Sequence, residues 1–108
     1  TAVDLLTRGE TDAALVVASD PIAVFPRRAV EHLKRIPIVA LDAHESETTK
    51  VAKVVFTTAT TGISAAGTIY RMDSIPLWTR QILTSPYPND EEILTRLLER
   101  VTPLVMAN

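Results

Sequence analysis

Three short segments gather the side chains able to do chemistry: Ser19-Asp20-Pro21, Asp42-Ala43-His44 and Thr57-Thr58. Each directly follows an apolar, β-branched run. Together they offer hydroxyls, two carboxylates, an imidazole and free backbone amides, the groups that orient a polar ligand such as a nucleotide. An acidic residue closing a second strand, about 20 residues after the first strand–helix turn, is placed to accept hydrogen bonds from a ribose. Asp42 has that spacing. The first turn carries no glycine, so the Gly-rich phosphate fingerprint of ordinary nicotinamide and flavin folds is missing. Asp20 and Asp42 are also residue types that cap turns, and His44 could either meet a ligand or cover a loop.

Other chemistries are excluded or disfavoured. The chain has no cysteine, which removes thiol catalysis, disulfides, iron–sulfur clusters and zinc fingers from its own repertoire. It has no P-loop and no Gly-x-Ser-x-Gly elbow. His32 sits in a predicted helix beside Glu31 and Lys34, a solvated setting. His44, Glu45 and Glu47 are too close in sequence to converge on a metal ion. With 11 basic and 13 acidic residues the net charge is −2, so no basic surface for nucleic acid is expected. The longest apolar run, Ala13–Ala18, is far short of the roughly 20 residues that cross a bilayer. Thr1-Ala2-Val3-Asp4 has no basic-then-apolar leader pattern, and a cytoplasmic setting is expected.

The elements that must position these groups follow from apolar periodicity. Ala2–Arg8 reads as a helix closed by Gly9. Ala13–Ala18 and Pro37–Leu41 are short apolar runs suited to strands buried on both faces of a parallel sheet. Between them Pro26 opens a helix over Arg27–Arg35, with Ala29, Val30 and Leu33 on one face and Glu31 spaced to pair with Arg35. Thr48–Ala52 fits one helical turn, and Lys53–Thr57 a third strand. Thr58–Gly67 reads as loop. Thr68–Met72 and Ile75–Leu83 read as an extended hairpin around Asp73-Ser74, with Pro76 confined to an edge. After the Pro-rich connector Ser85–Pro88, Asn89 and Glu92 open a last helix, whose stripe Ile93, Leu94, Leu97, Leu98 and Val101 is expected to pack in a core.

At 108 residues, with 46% apolar and 22% charged residues, the chain is predicted to be one globular α/β domain spanning 1–108, a piece of a larger subunit. The architecture is a three-layer Rossmann-like arrangement with a mainly parallel sheet, followed by an extended hairpin-like segment and a C-terminal helix.

Four stretches carry a resemblance: Ala-Leu-Val-Val-Ala-Ser-Asp-Pro at 14–21; Phe25-Pro26-Arg27-Arg28-Ala29-Val30-Glu31-His32-Leu33; Thr48-Thr49-x-x-Ala52-x-Val54-Val55; and Gly67-Thr68-x-Tyr70-Arg71-Met72-Asp73-x-x-Pro76. In this order and spacing, over roughly residues 10–101, the set resembles the C-terminal part of the formylmethanofuran dehydrogenase B-subunit. More distantly it is similar to the nucleotide-binding α/β domain of the molybdopterin oxidoreductases, the dimethyl-sulfoxide-reductase superfamily. The resemblance implies an enzyme complex that reduces carbon dioxide and forms formylmethanofuran, or the reverse, in one-carbon metabolism. It implies molybdopterin guanine dinucleotide with tungsten or molybdenum, the metal being ligated outside this chain. The other domains of the same subunit and the other subunits would be its partners, with neither nucleic acid nor membrane among them. This chain would not be catalytic by itself.

The resemblance also assigns residues. Ser19, Asp20 and Pro21 would face the nucleotide, Asp42 its ribose or guanine, and His44 the same rim. Thr48 and Thr49 would donate to phosphate, and Gly62 and Gly67 would allow close backbone approach. Relatives often carry glutamate before the Gly-Thr pair, where Ser64-Ala65-Ala66 stands here, and glycine or asparagine at the position of Ser74. Two alternatives remain at this level: a non-redox structural homologue in a formyltransferase/hydrolase complex, and an unrelated small-ligand α/β module.

Overall fold

The structure is a computed structural model and describes residues 1–107. The chain divides into two compact units, Thr1–Thr57 and Thr58–Asn108.

The first unit alternates helix and strand: α1 (Ala2–Arg8), β1 (Ala14–Val17), α2 (Pro21–Val24), α3 (Arg27–Leu33), β2 (Ile38–Asp42), α4 (Glu47–Val51) and β3 (Val54–Thr57). The strands form a parallel sheet in the order β1-β2-β3. Registers run Ala14 opposite Ile38 and Val39 opposite Val54, which brings Asp42 opposite Thr57 at the carboxyl edge. The core lies where Leu6 of α1 and Ala29 and Leu33 of α3 meet Ile38, with Ala14 and Val16 against them.

Side chains alternate across a strand. Val16 therefore turns to these helices while Leu15 turns away. Leu15 is 57% exposed and Val54 44%. The expectation that Ala13–Ala18 would be buried on both faces is corrected: β1 is an edge strand, covered on one face only. Gly9 ends α1 at φ 69°, the left-handed geometry that glycine adopts at little cost.

Three local expectations change. The helix after Pro26 stops at Leu33, and the segment before it forms α2, opened by the buried Pro21. Glu31 pairs with Arg27 at 2.9 Å, one turn before it, rather than with Arg35. His32 is half-buried, and its Nε2 lies 2.7 Å from the Thr11 carbonyl. A carbonyl only accepts, so this nitrogen carries the proton and donates. His32 thus ties α3 to the loop after α1 instead of facing solvent.

The second unit holds a hairpin, β4 (Gly67–Tyr70) with β5 (Pro76–Thr79), and one long helix, α5 (Asp90–Met106). Pro76 opens its strand opposite Tyr70, where no ladder bond is lost. Ser74 adopts φ 64°, which explains why glycine or asparagine suits that position. Asn89 caps α5 by accepting the Glu92 amide at 2.8 Å. The helix runs through Pro103 to Met106, and the Thr102 hydroxyl donates to the Leu98 carbonyl at 2.7 Å. The core role expected of its stripe is met only in part, with Ile93, Leu94 and Leu97 half-buried. No residue of α5 is buried, and Leu98 and Val101 are 67% and 46% exposed.

Candidate functional site at the carboxyl edge of the sheet

Parallel strands all end at one edge, and in open α/β sheets ligands bind just beyond it. Here β1 delivers Ser19 and Asp20, β2 ends on Asp42 and leads to His44, and β3 ends on Thr57. Ala18, at φ 47°, turns the chain sharply after β1 while its amide still donates to the Leu41 carbonyl at 2.8 Å. Holding a non-glycine residue there costs free energy, so the surrounding bonds must fix it.

The strongest network joins this turn to α4. The Thr48 hydroxyl is fully buried, accepts from the Ile22 amide at 3.1 Å and donates to Asp20 Oδ1 at 2.6 Å. The Thr48 amide donates to the same oxygen at 3.0 Å, and the Glu47 amide to Asp20 Oδ2 at 3.3 Å. The Thr48 hydroxyl is the first cause, and these amides a further one, of a carboxyl held below its ordinary value of 3.8. The anion at the start of α4 is therefore the protein's own. Thr49 is equally engaged: it accepts the Ser46 amide at 2.7 Å, donates to the Ser46 carbonyl at 2.9 Å, and its own amide reaches Ser46 Oγ at 3.1 Å. This reciprocal box lets so short a helix start.

Beside this network opens a cleft of about 290 Å³, lined by Asp42, His44, Glu45, Thr49, Lys50 and Thr57 among others. The His44 amide donates to Asp42 Oδ1 at 3.1 Å, which orients the half-buried carboxylate. The His44 ring is exposed. Lys50 Nζ bonds Glu47 Oε1 at 2.9 Å; that bond, aided by the charges of Glu47, Glu45 and Asp20, holds the ammonium above its ordinary value. The cleft thus offers an oriented carboxylate, a cation, an imidazole and the Thr57 hydroxyl, enough to hold a polar heterocycle with its sugar.

Of the residues singled out by sequence, Asp42, His44 and Thr49 line the cleft, Asp20 and Thr48 form the network beside it, and Ser19 and Pro21 line a separate apolar hollow with Leu6, Phe25 and Leu33. Gly62 and Gly67 belong to the second unit. Gly62 needs its φ of 82°, yet a side chain there would meet nothing within 4 Å. At Gly67 a side chain would sit 3.8 Å from Thr61 Cγ2, an ordinary contact, so no crowding inside the chain demands glycine. Sequence reasoning does not single out Lys50. The signal that could have found it is a cation one turn after the acidic start of a helix, beside Thr48-Thr49. Among the described residues no three His, Asp or Glu side chains group to hold a metal ion.

No protein-family model matches the chain. Two curated relatives do. One is the B-subunit of the tungsten-containing formylmethanofuran dehydrogenase 2 of Methanocaldococcus jannaschii. It is 44% identical over 107 residues, covering 97% of this chain and 25% of that protein. The protein of the same name from Methanococcus maripaludis is 40% identical over 100 residues, covering 91% of this chain and 23% of that one. The chain therefore spans about a quarter of the length of the relatives it matches. Such identity over nearly the whole chain makes it a homologue of a segment of the formylmethanofuran dehydrogenase B-subunit.

Proposed function

We propose that this chain is the part of a formylmethanofuran dehydrogenase B-subunit that holds the nucleotide end of a molybdopterin guanine dinucleotide. The observation that carries the reading is the polar cleft at the carboxyl edge, with Asp42 oriented by the His44 amide and Lys50 in the same lining. At about 290 Å³ it lies at the low end of small-ligand pockets, roughly 300–1,000 Å³. That suits one nucleoside end of a dinucleotide and not the whole.

The residues fit this group in two ways. Asp42 accepts from the ribose hydroxyls or the guanine N–H groups, and Thr57 and His44 border the same space. Lys50 offers positive charge to a phosphate, while Ser19 and Pro21 flank Asp20 in the turn that is tied to α4. The donor set does not fit tungsten or molybdenum itself, which residues outside this chain would hold. The bound cofactor would supply the electron transfer of carbon dioxide reduction, with formylmethanofuran formation or its reverse completed by the complex. The role of these residues is to anchor and orient. The partners in this reading are the remaining domains of the subunit and the other subunits of a cytoplasmic complex.

The test is composition. The full-length protein, purified from its own host, should carry tungsten or molybdenum and release guanine nucleotide on denaturation in fixed proportion to protein. Repeated absence of both would leave the non-redox structural role as the better reading.

A further inference from the structure

We infer that Asp20 and Thr48 are positioning residues: their hydrogen-bonded pair clamps the first turn of α4 to the turn after β1 and so sets the cleft wall that carries Thr49 and Lys50. This rests on the reading of the cleft as a nucleotide site.

The local physics calls for such a clamp. α4 has five residues, far below the length at which a helix persists by itself. It supplies Thr49 and Lys50 to the cleft lining and packs against α2 and β2. Its first turn is tied to the end of β1 by Asp20, which takes up two of its first amides and the buried Thr48 hydroxyl. That hydroxyl in turn accepts the Ile22 amide, so α2 and α4 are locked through one side chain. Every polar side-chain atom of the pair is used inside the chain. The pair therefore acts on a ligand through the position of the α4 wall and its Lys50, and direct contact falls to Asp42, His44 and Lys50. Direct ligation by Asp20 and Thr48, the role implied by resemblance, is the competing account.

The two accounts differ in a double-mutant cycle, read with GDP as the probe on the full chain prepared without cofactor. In the clamp, Asp20→Ala and Thr48→Val each weaken GDP binding about fivefold, and the double variant is no weaker than the worse single one. Thr48→Ser, which keeps the hydroxyl, binds like the wild type. Hydrogen exchange gives a ligand-free readout: Thr48→Val speeds exchange in residues 43–51 while 27–41 keep their protection. Losses that multiply in the double variant, or unchanged exchange in 43–51, would overturn the clamp. If the wild type fails to bind GDP, the nucleotide reading falls, and hydrogen exchange still decides whether the pair holds α4.

Discussion

Asp20 Oδ1 accepts the Thr48 hydroxyl at 2.6 Å across 28 residues of sequence, joining the end of β1 to the start of α4. The carboxylate is thereby committed to the fold, and its ionisation becomes part of the molecule's stability. Its folded pKa lies below the ordinary 3.8, so its contribution is complete above about pH 4 and is lost as pH falls through the depressed value. Acid unfolding followed by circular dichroism should therefore have a steeper acid limb in the wild type than in Asp20→Asn. Identical acid limbs would mean that the carboxylate is not stabilised as described.

Thr48→Val should cost about 1–3 kcal/mol, because it leaves the Ile22 amide and Asp20 without their buried partner. Thr48→Ser should cost much less. Denaturant midpoints at constant m-value report this difference.

The one-sided cover of β1 makes a paired prediction. Leu33→Ala, in the core between α3 and β2, should cost about 2–5 kcal/mol. Leu15→Ala, one position from Val16 but turned away and 57% exposed, should cost about 1 kcal/mol or less. Val16→Asp should abolish folding by burying an unpaired charge. Equal losses at Leu33 and Leu15 would mean that β1 is covered on both faces.

Ser74 holds a left-handed conformation in the β4–β5 turn. Ser74→Gly should stabilise by about 0.5–1 kcal/mol, and Ser74→Val should destabilise. Thermal melts of the two variants bracket the wild type if the turn is as described.

The sheet is readable from sequence because each strand is a short apolar run that stops at a turn residue. Ala14–Val17, Ile38–Asp42 and Val54–Thr57 all fall within or beside the expected runs. The carboxyl edge follows from parallel topology, which is why Asp20 and Asp42 are expected on one rim. Periodicity does not give which strand faces are covered, since an apolar run reads alike in a central or an edge strand. Leu15 and the stripe on α5 are the consequence: apolar spacing marks a face that wants burial, not the partner that buries it. Nor does spacing separate the two aspartates. Asp42 is left facing a cleft, while Asp20 is spent on Thr48, a pairing set by three-dimensional approach over 28 residues. His32 escapes sequence reasoning for the same reason, its partner Thr11 lying 21 residues away.

Asp42 is the cleft's recognition carboxylate in the proposed function. Titration calorimetry of GDP into the full chain, wild type against Asp42→Ala, tests that role most directly. Loss of about tenfold or more in affinity with an unchanged melting temperature is the predicted result. Equal affinity in the two proteins would contradict it and put any nucleotide somewhere other than this edge.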